Sequence, residues 1–167
     1  DSLLGILKNP DCTPFQVGLI NLALSFIGAK APEALLEAAD SDVAEVRVAA
    51  ISALGDQIQK SDDLRAKNRV FQALDDSSAE VRAEAVTLIG KSCDAEDVEN
   101  VLSRKLVDQD TQVRKNTAMA LMKLEAFNTI ESIEAAKSTE KDKSVQAVFN
   151  VAINILSRDL EEKQESE

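Results

Sequence analysis

Histidine, tryptophan and tyrosine are absent from this sequence of 167 residues. Without histidine the chain has no Ser-His-Asp or Cys-His nucleophilic site, no HExxH zinc site and no two-histidine iron site. No glycine-rich phosphate loop is present either. We therefore predict that the chain is not an enzyme and that it has no catalytic, cofactor-binding or metal-binding residues.

Carboxylates are the one catalytic group in good supply. With 30 acidic residues, carboxylate pairs on exposed helices are unavoidable. The pairs Asp40/Asp42 and Asp108/Asp110 look like the start of a calcium loop, but the glycine and the distal glutamate of that motif are missing. Helix capping explains these pairs better. A hydrolase that uses carboxylates alone is the remaining enzymatic alternative.

Cysteine and long hydrophobic runs are also scarce. Cys12 and Cys93 form no CxxC pair, which is typical of small core residues in a reducing compartment, and we expect a cytoplasmic location. No basic segment of a secretory signal opens the chain, and the apolar stretch 15–27 is too short to span a bilayer. A start at Asp1 instead of Met suggests a processed or excised segment.

The sequence has little positive charge for its size. The chain has 19 basic and 30 acidic residues, so its formal net charge is -11. Nucleic-acid backbones and anionic membrane surfaces attract clustered Lys and Arg, so we predict that neither is a partner. A protein partner remains compatible with this charge.

What the sequence does contain is a repeat. Val46, Val81, Val113 and Val145 recur at intervals of 35, 32 and 32 residues. Each of these anchor valines is followed by an apolar or small residue at position four and by Leu or Ile at position eight. This spacing is one face of an α-helix. A weaker copy ends in the segment 25–28. Each such helix, here called a B helix, is preceded by a second apolar-periodic segment, called an A helix.

The repeat predicts an all-α chain of about five A/B helix pairs. We expect one array over residues 1–157 and an acidic tail, either a fraying helix end or disordered, over 158–167. Gly28, Gly55 and Gly90 stand where left-handed caps would end B helices. The predicted A helices are 3–7, 32–39, 64–74, 98–107 and 127–136, and the predicted B helices are 14–27, 43–55, 78–90, 110–124 and 143–157.

The run D-x-D-x-x-V-R-x-x-A-x-x-x-L-G resembles the B-helix signature of HEAT repeats. Val46-Arg47, Val81-Arg82 and Val113-Arg114 carry the match, whereas Gln146 and Ile20 stand where the outer copies would have Arg. The short period is similar to the phycobilisome-lyase-like subclass. The resemblance implies a HEAT-like solenoid, a right-handed α-α superhelix.

In HEAT arrays, aspartates and arginines commonly form a ladder between repeats. The planar fork of each arginine can bond the acidic turn of a neighbouring repeat, and the resemblance implies such a structural ladder here. The alternative is that the three arginines bind an anionic ligand. The residues of this predicted ladder are Asp40, Arg47, Asp75, Arg82, Asp108 and Arg114.

The B helices of HEAT-like arrays line the concave surface, so their outward positions are candidates for binding a partner. These positions are small, uncharged and partly apolar apart from one lysine, and an amphipathic helix is the natural occupant. The alternative is that the residues are small only because neighbouring B helices pack closely. The candidates are Val48, Ser52, Thr87, Lys115, Met119, Met122 and Val151.

Two functions follow from this sequence. The first is a non-enzymatic scaffold that binds a protein partner, of unspecified identity, through the B-helix face. The alternative, suggested by the subclass resemblance, is a lyase-like or chaperone-like module that acts on a tetrapyrrole-bearing protein.

The first predicted B helix, residues 14–27, is apolar around its whole circumference and has only the short segment 3–7 as a partner. An unstacked apolar face invites association. We expect further repeats or a homodimer to cover this end.

Overall fold

The computed structural model describes Ile20, Ala23, Phe26 and residues 32–61 and 63–165. Within this part of the chain the secondary structure consists of helices, with no strands. The eight α-helices are α1 (Pro32–Ala39), α2 (Ala44–Ser61), α3 (Leu64–Gln72), α4 (Ala79–Ser92), α5 (Ala95–Ser103), α6 (Thr111–Lys123), α7 (Ile130–Thr139) and α8 (Lys143–Glu165). Three 3-10 turns extend the A helices, at Ala73–Asp75, Arg104–Val107 and Phe127–Thr129.

The predicted alternation of A and B helices is confirmed from residue 32 onward. The A helices are α1, α3, α5 and α7, and the B helices are α2, α4, α6 and α8. The first predicted pair, with its apolar helix and its covered end, lies outside the described residues except for the three helical positions named above. The chain divides into two compact units, one on each side of the bond between Leu88 and Ile89.

The first unit is built around the contacts of α2 with α1 and α3. Val46 and Val81, the anchor valines, are buried, as is Leu54 on the same face of α2 as Val46. The A helices contribute Leu35 and Val70 to this core. Burial of these aliphatic side chains is the main favourable term that holds the helices together.

The second unit repeats the arrangement. Here α8 packs on α6 and α7, and α5 packs on α6. Val113 and Val145 are buried at the anchor positions, with Leu121 and Phe149 beside them in the core. The four anchors that define the repeat are therefore all interior, which explains why the period is readable in the sequence.

The predicted glycine caps are wrong at Gly55 and Gly90, and Gly28 lies outside the described residues. Both glycines are inside helices that continue to Ser61 and Ser92, and neither has a positive φ angle. A Cβ added at Gly55 would lie 2.4 Å from Leu88 Cδ2, and one at Gly90 would lie 2.6 Å from Ala120 Cβ. These positions lack a side chain because a neighbouring B helix approaches closely.

A left-handed cap does occur, at Glu125. This residue follows α6 with a φ angle of 52°. The Ala126 N–H donates to Leu121 O and the Glu125 N–H donates to Met122 O, the two hydrogen bonds that define a Schellman motif. The motif ends α6 and turns the chain into the next A helix without a glycine.

The last helix is longer than predicted. Residues 158–165, which we expected to be a fraying helix end or disordered, continue α8. Lys163 Nζ lies 5.4 Å from the centroid of the Phe127 ring, so this end of the helix contacts the turn before α7. None of the helices in the described ranges is long and apolar enough to cross a membrane.

Candidate functional site

The residue after each anchor valine donates a side-chain hydrogen bond to the turn that precedes its own helix. Arg47 NH1 donates to Ser41 O at 2.8 Å, Arg82 NH1 to Asp76 O at 2.8 Å and Arg114 NH1 to Asp108 O at 2.8 Å. In each case the acceptor is the carbonyl six residues earlier. Gln146 makes the same bond, from Nε2 to Glu140 O at 2.6 Å. The side-chain amide of Gln146 thus makes the carbonyl contact that arginine makes in the other copies.

Arg47 also reaches the next repeat. Its Nε donates to Asp76 Oδ2 at 2.9 Å and its NH2 donates to Asp76 Oδ1 at 2.7 Å. Arg114 does the same with Glu140, at 2.6 Å from Nε and 3.0 Å from NH2. Two parallel charge-assisted hydrogen bonds make each contact rigid and directional. The forks of these two arginines are therefore directed at carboxylates of the chain itself.

The acidic residues predicted for the ladder have varied partners. Asp40 accepts a hydrogen bond from Arg69 of α3 at 3.1 Å. Asp108 accepts one from the Asp110 N–H at 2.9 Å, within its own turn. Asp75 closes the first 3-10 turn and is exposed. The structure therefore brings Arg47 and Arg114 to carboxylates that were not among those predicted.

Sequence reasoning missed Asp76 and Glu140, although a signal was available. Both residues precede an anchor valine by five positions, the same position that Asp108 has in its repeat. An alignment on the anchors alone would have identified this common acidic position. The prediction instead used the first acidic residue of each turn.

The pKa values of both carboxyl groups are shifted downward. Hydrogen bonds from Arg114 lower the pKa of Glu140, and burial opposes them only in part. For Asp76, burial raises the pKa, but hydrogen bonds from Arg47 and from the Ser78 N–H outweigh it, so the pKa is lowered. Both groups are therefore held ionised by their partners.

An apolar groove lies between α6 and α8 on the B-helix face of the second unit. Its volume is about 260 Å³. The side chain of Met119 is 43% exposed and that of Val151 is 51% exposed, so the groove opens to solvent. Its lining residues are Met119, Met122, Ala147, Val148, Val151 and Ala152.

The groove brings together three of the seven predicted partner-binding residues: Met119, Met122 and Val151. Lys115 lies one turn before Met119 on the same face of α6 and is half-buried. Val148 and Ala152 were missed because the prediction considered only the second, sixth and ninth positions after each anchor valine.

The other three predicted residues lie in the first unit. Val48 and Ser52 of α2 and Thr87 of α4 are half-buried, and the Thr87 hydroxyl donates to Ala83 O of its own helix at 2.9 Å. The close contact between Gly55 and Leu88 is in the same unit. Close packing of neighbouring B helices thus partly explains why these helices carry small residues.

Two other cavities of the second unit are lined by both polar and apolar residues. One of about 280 Å³ lies against the Arg114–Glu140 pair and the exposed side chain of Val107. Another, of about 450 Å³, is lined in part by Glu96, Glu99 and Lys163. In the described part of the chain no group of three or more His, Cys, Asp or Glu side chains is arranged to hold a metal ion.

Comparison with known proteins identifies the repeat. The sequence profile of HEAT repeats matches residues 68–154. The chain is also 44% identical, over 158 residues or 95% of its length, to the bilin biosynthesis protein MpeU of Synechococcus sp. (strain WH8020). It spans about half of that relative, 53% of its length. The resemblance to short HEAT repeats is confirmed, and a bilin-related relative agrees with the subclass.

Solved structures show the same fold at low sequence identity. A designed armadillo repeat protein in complex with the peptide (KR)4 has a TM-score of 0.60 at 21% identity, over 92% of this chain and 80% of that protein. A crystal structure of an engineered protein has a TM-score of 0.57 at 21% identity, over 93% and 78% of the two chains. These similarities confirm the α-helical repeat solenoid.

The prediction that the chain is not an enzyme is wrong, because a relative that is 44% identical over nearly all of it is a bilin biosynthesis protein. The lack of histidine removes particular nucleophilic and metal sites. A reaction that is accelerated by holding two reactants together in the right orientation needs none of these sites.

Proposed function

The chain belongs to the HEAT-repeat family, and from that premise we propose that it acts in bilin biosynthesis by holding a bilin, or a protein that carries a bilin, on its B-helix face. The observation that carries this proposal is the 44% identity to a bilin biosynthesis protein over 95% of the chain. This is the lyase-like or chaperone-like alternative, and it replaces the simple scaffold as the first choice.

The geometry supports a role in binding and orienting. The groove between α6 and α8 offers an apolar, solvent-accessible surface on which flat pyrrole rings can pack. The two methionines in it are polarisable and can adjust to an irregular partner. The Arg114–Glu140 pair joins the start of α6 to the turn before α8 and so fixes the two helices that carry this surface, because a bidentate pair restricts orientation.

A protein partner is part of the same proposal. Met119 and Val151 are large apolar side chains that are exposed to solvent, and exposed apolar grooves commonly bind protein segments. A bilin-bearing protein could engage both the groove and its polar surroundings. We propose a reducing, cytoplasmic setting, in keeping with the small number and wide spacing of the cysteines in the sequence.

Two binding measurements test the proposal. The purified 167-residue chain is mixed with a free linear tetrapyrrole, biliverdin, and the absorbance and induced circular dichroism of the pigment are followed. In parallel, the chain is mixed with a bilin-bearing phycobiliprotein, and a complex is sought by size-exclusion chromatography with detection at the pigment absorbance. Saturable binding in either experiment supports the proposal. Failure to bind in both would overturn it.

A further inference from the structure

The two helices that form the groove are free of acidic residues over the length of the groove. In α6 the charged residues are Arg114, Lys115 and Lys123, and α8 has only Lys143 and Arg158 between residues 143 and 158. The whole chain, by contrast, carries a net charge of -11. The A helices of the same unit show the opposite sign, with Glu96 and Glu99 in α5 and Glu131 and Glu134 in α7.

Asp110 and Asp142 cap the starts of the two helices, and beyond these caps the separation of charge makes the groove complementary to an anion. Arg114 is paired with Glu140, and Arg158 is paired with Asp159, so the lysines supply the remaining positive charge. Lys115 and Lys143 are both one helical turn before groove residues, Met119 and Ala147 respectively.

Both lysines lie at the end of the groove where α6 and α8 begin. Lys115 is close enough to Asp142, the residue before α8, to lower the pKa of that carboxyl group, although hydrogen bonds from Ser144 are the larger cause. The Asp142 carboxylate also accepts hydrogen bonds from the first N–H groups of α8, at 2.8 Å from Ser144 and 3.2 Å from Val145. Asp142 thus caps the helix, and its carboxylate lies near Lys115 at this end of the groove.

We propose that the groove binds the apolar rings of a bilin and that Lys115, with Lys143 beside it, pairs with a propionate carboxylate of the same molecule. This inference rests on the proposed function and assigns it a site and a polarity. A bilin combines the two properties that the groove matches, since it has a long apolar ring system and carries two carboxylates. The charge pattern therefore selects an anionic apolar ligand over a cationic or neutral one.

The size of the groove adds a further detail. A volume of about 260 Å³ is below the roughly 300–1,000 Å³ of sites that enclose a ligand. The groove would therefore hold part of the bilin and leave the rest accessible. An accessible end is what a carrier protein would need in order to receive or present the pigment. An acidic amphipathic helix of a partner has the same charge sign, and the experiments below separate it from a bilin.

The first test compares biliverdin with its dimethyl ester, which has the same rings but no free carboxylates. We expect the wild-type chain to bind biliverdin with one saturable site and the ester more weakly. Lys115→Gln should weaken biliverdin binding by about twofold to fivefold, the range of a partly exposed ion pair. The same variant should bind the ester as the wild type does. Equal weakening for both ligands would overturn the assignment of Lys115.

The second test addresses the apolar groove. Val151→Asp places a carboxylate where the rings would pack, so we expect affinity for biliverdin to fall about tenfold or more. Val151 is half exposed, which makes the substitution tolerable for folding. Val151→Ser is the milder variant and should lower affinity in the same direction. Val107→Asp is the matched control, because Val107 is also an exposed valine, at 68% against 51% for Val151, but belongs to the 3-10 turn after α5. Lys137→Gln on α7 is the control for Lys115→Gln.

The outcomes separate a failure of the proposed site from a failure of the proposed function. If the wild type binds biliverdin and the groove variants bind it equally well, the site is wrong and the function stands. If the chain binds only the bilin-bearing protein, and Val151→Asp abolishes that complex, the groove is a docking site for protein and the bilin assignment is overturned. If neither ligand binds, the proposed function fails together with the site.

Discussion

A single position in the repeat shows how one side chain can serve two contacts. Arg47 and Arg114 use one nitrogen for the carbonyl six residues earlier and the other two for a carboxylate of the following turn. Gln146 has one amide nitrogen, and it makes the first contact only. The contact to the carbonyl is thus common to the four copies, and the bidentate contact requires a guanidinium.

The Arg114–Glu140 pair gives a prediction about stability. The two side chains are only 13% and 6% exposed. Arg114→Ala would leave a poorly solvated carboxylate without its charge-assisted hydrogen bonds, so we expect the free energy of unfolding to fall by about 1.5–3 kcal/mol. Urea denaturation at neutral pH measures this change. Arg158→Ala, which removes an exposed pair on α8, is the control and should change stability little. Equal effects would show that the buried pair has no special role.

The two helical glycines give a second prediction, because they face different atoms. At Gly90 an added Cβ meets Cβ and the backbone Cα of Ala120, at 2.6 Å and 3.0 Å, and these atoms cannot move alone. Gly90→Ala should therefore destabilise the chain by about 1–3 kcal/mol. At Gly55 the Cβ meets the end of the flexible Leu88 side chain. Gly55→Ala should cost much less, since alanine also favours the helix by about 1 kcal/mol. Thermal denaturation of both variants provides the comparison, and a larger loss for Gly55→Ala would contradict the packing argument.

Helix α6 ends in a left-handed cap that contains no glycine. Its Schellman motif places Glu125 in the left-handed region, where a residue with a Cβ costs about 1–2 kcal/mol. The hydrogen bonds of Glu125 and Ala126 to the last turn of α6 offset this cost. The chain therefore uses packing, with Ala126 fully buried, in place of a glycine.

Glycine at this position should stabilise the protein. Glu125→Gly relieves the left-handed strain, and after the entropy cost of glycine we expect a gain of about 0.5–1 kcal/mol in the free energy of unfolding. Glu131→Gly is the control. Glu131 is an exposed residue in the first turn of α7, and glycine there should destabilise by about 0.5–1 kcal/mol. Chemical denaturation of the two variants should give changes of opposite sign. A loss of stability for Glu125→Gly would show that its side chain contributes more than the backbone strain costs.

For the whole molecule, the lowered pKa values of Asp76 and Glu140 predict sensitivity to acid. A carboxyl group with a lower pKa in the folded state than in the unfolded state stabilises the fold fully above the unfolded value, near pH 4. As the pH falls through this value toward the folded pKa, the unfolded state takes up the proton first and that stability is lost. Stability should therefore decline below about pH 4.

Urea denaturation between pH 7 and pH 3 measures this decline. Glu140→Gln removes one of the two groups, so the variant should be less stable than the wild type at neutral pH but should lose less stability on acidification. Glu131→Gln, on the exposed surface of α7, should leave the slope unchanged. A wild-type slope in Glu140→Gln would mean that other carboxylates control the acid response.

The sequence by itself determined the class of fold and the positions of most helices. Val46, Val81, Val113 and Val145 recur with the period of a buried helical face, and each is buried. Such a pattern is local, because each repeat places its own apolar stripe against its own A helix. The acidic position five residues before an anchor valine was also present in the sequence, but it was not recognised as the partner of an arginine.

Only the tertiary structure decided which residues meet across repeats. That Arg47 binds Asp76 and Arg114 binds Glu140 depends on how far one repeat is shifted relative to the next, which no single repeat encodes. Gly55 and Gly90 are ambiguous in the sequence for the same reason, since a glycine near a helix end fits a cap as well as a close contact. The groove between α6 and α8 likewise combines residues from two helices. The exposure of these groove residues depends on the distance between the two helices, and packing between separate segments sets that distance.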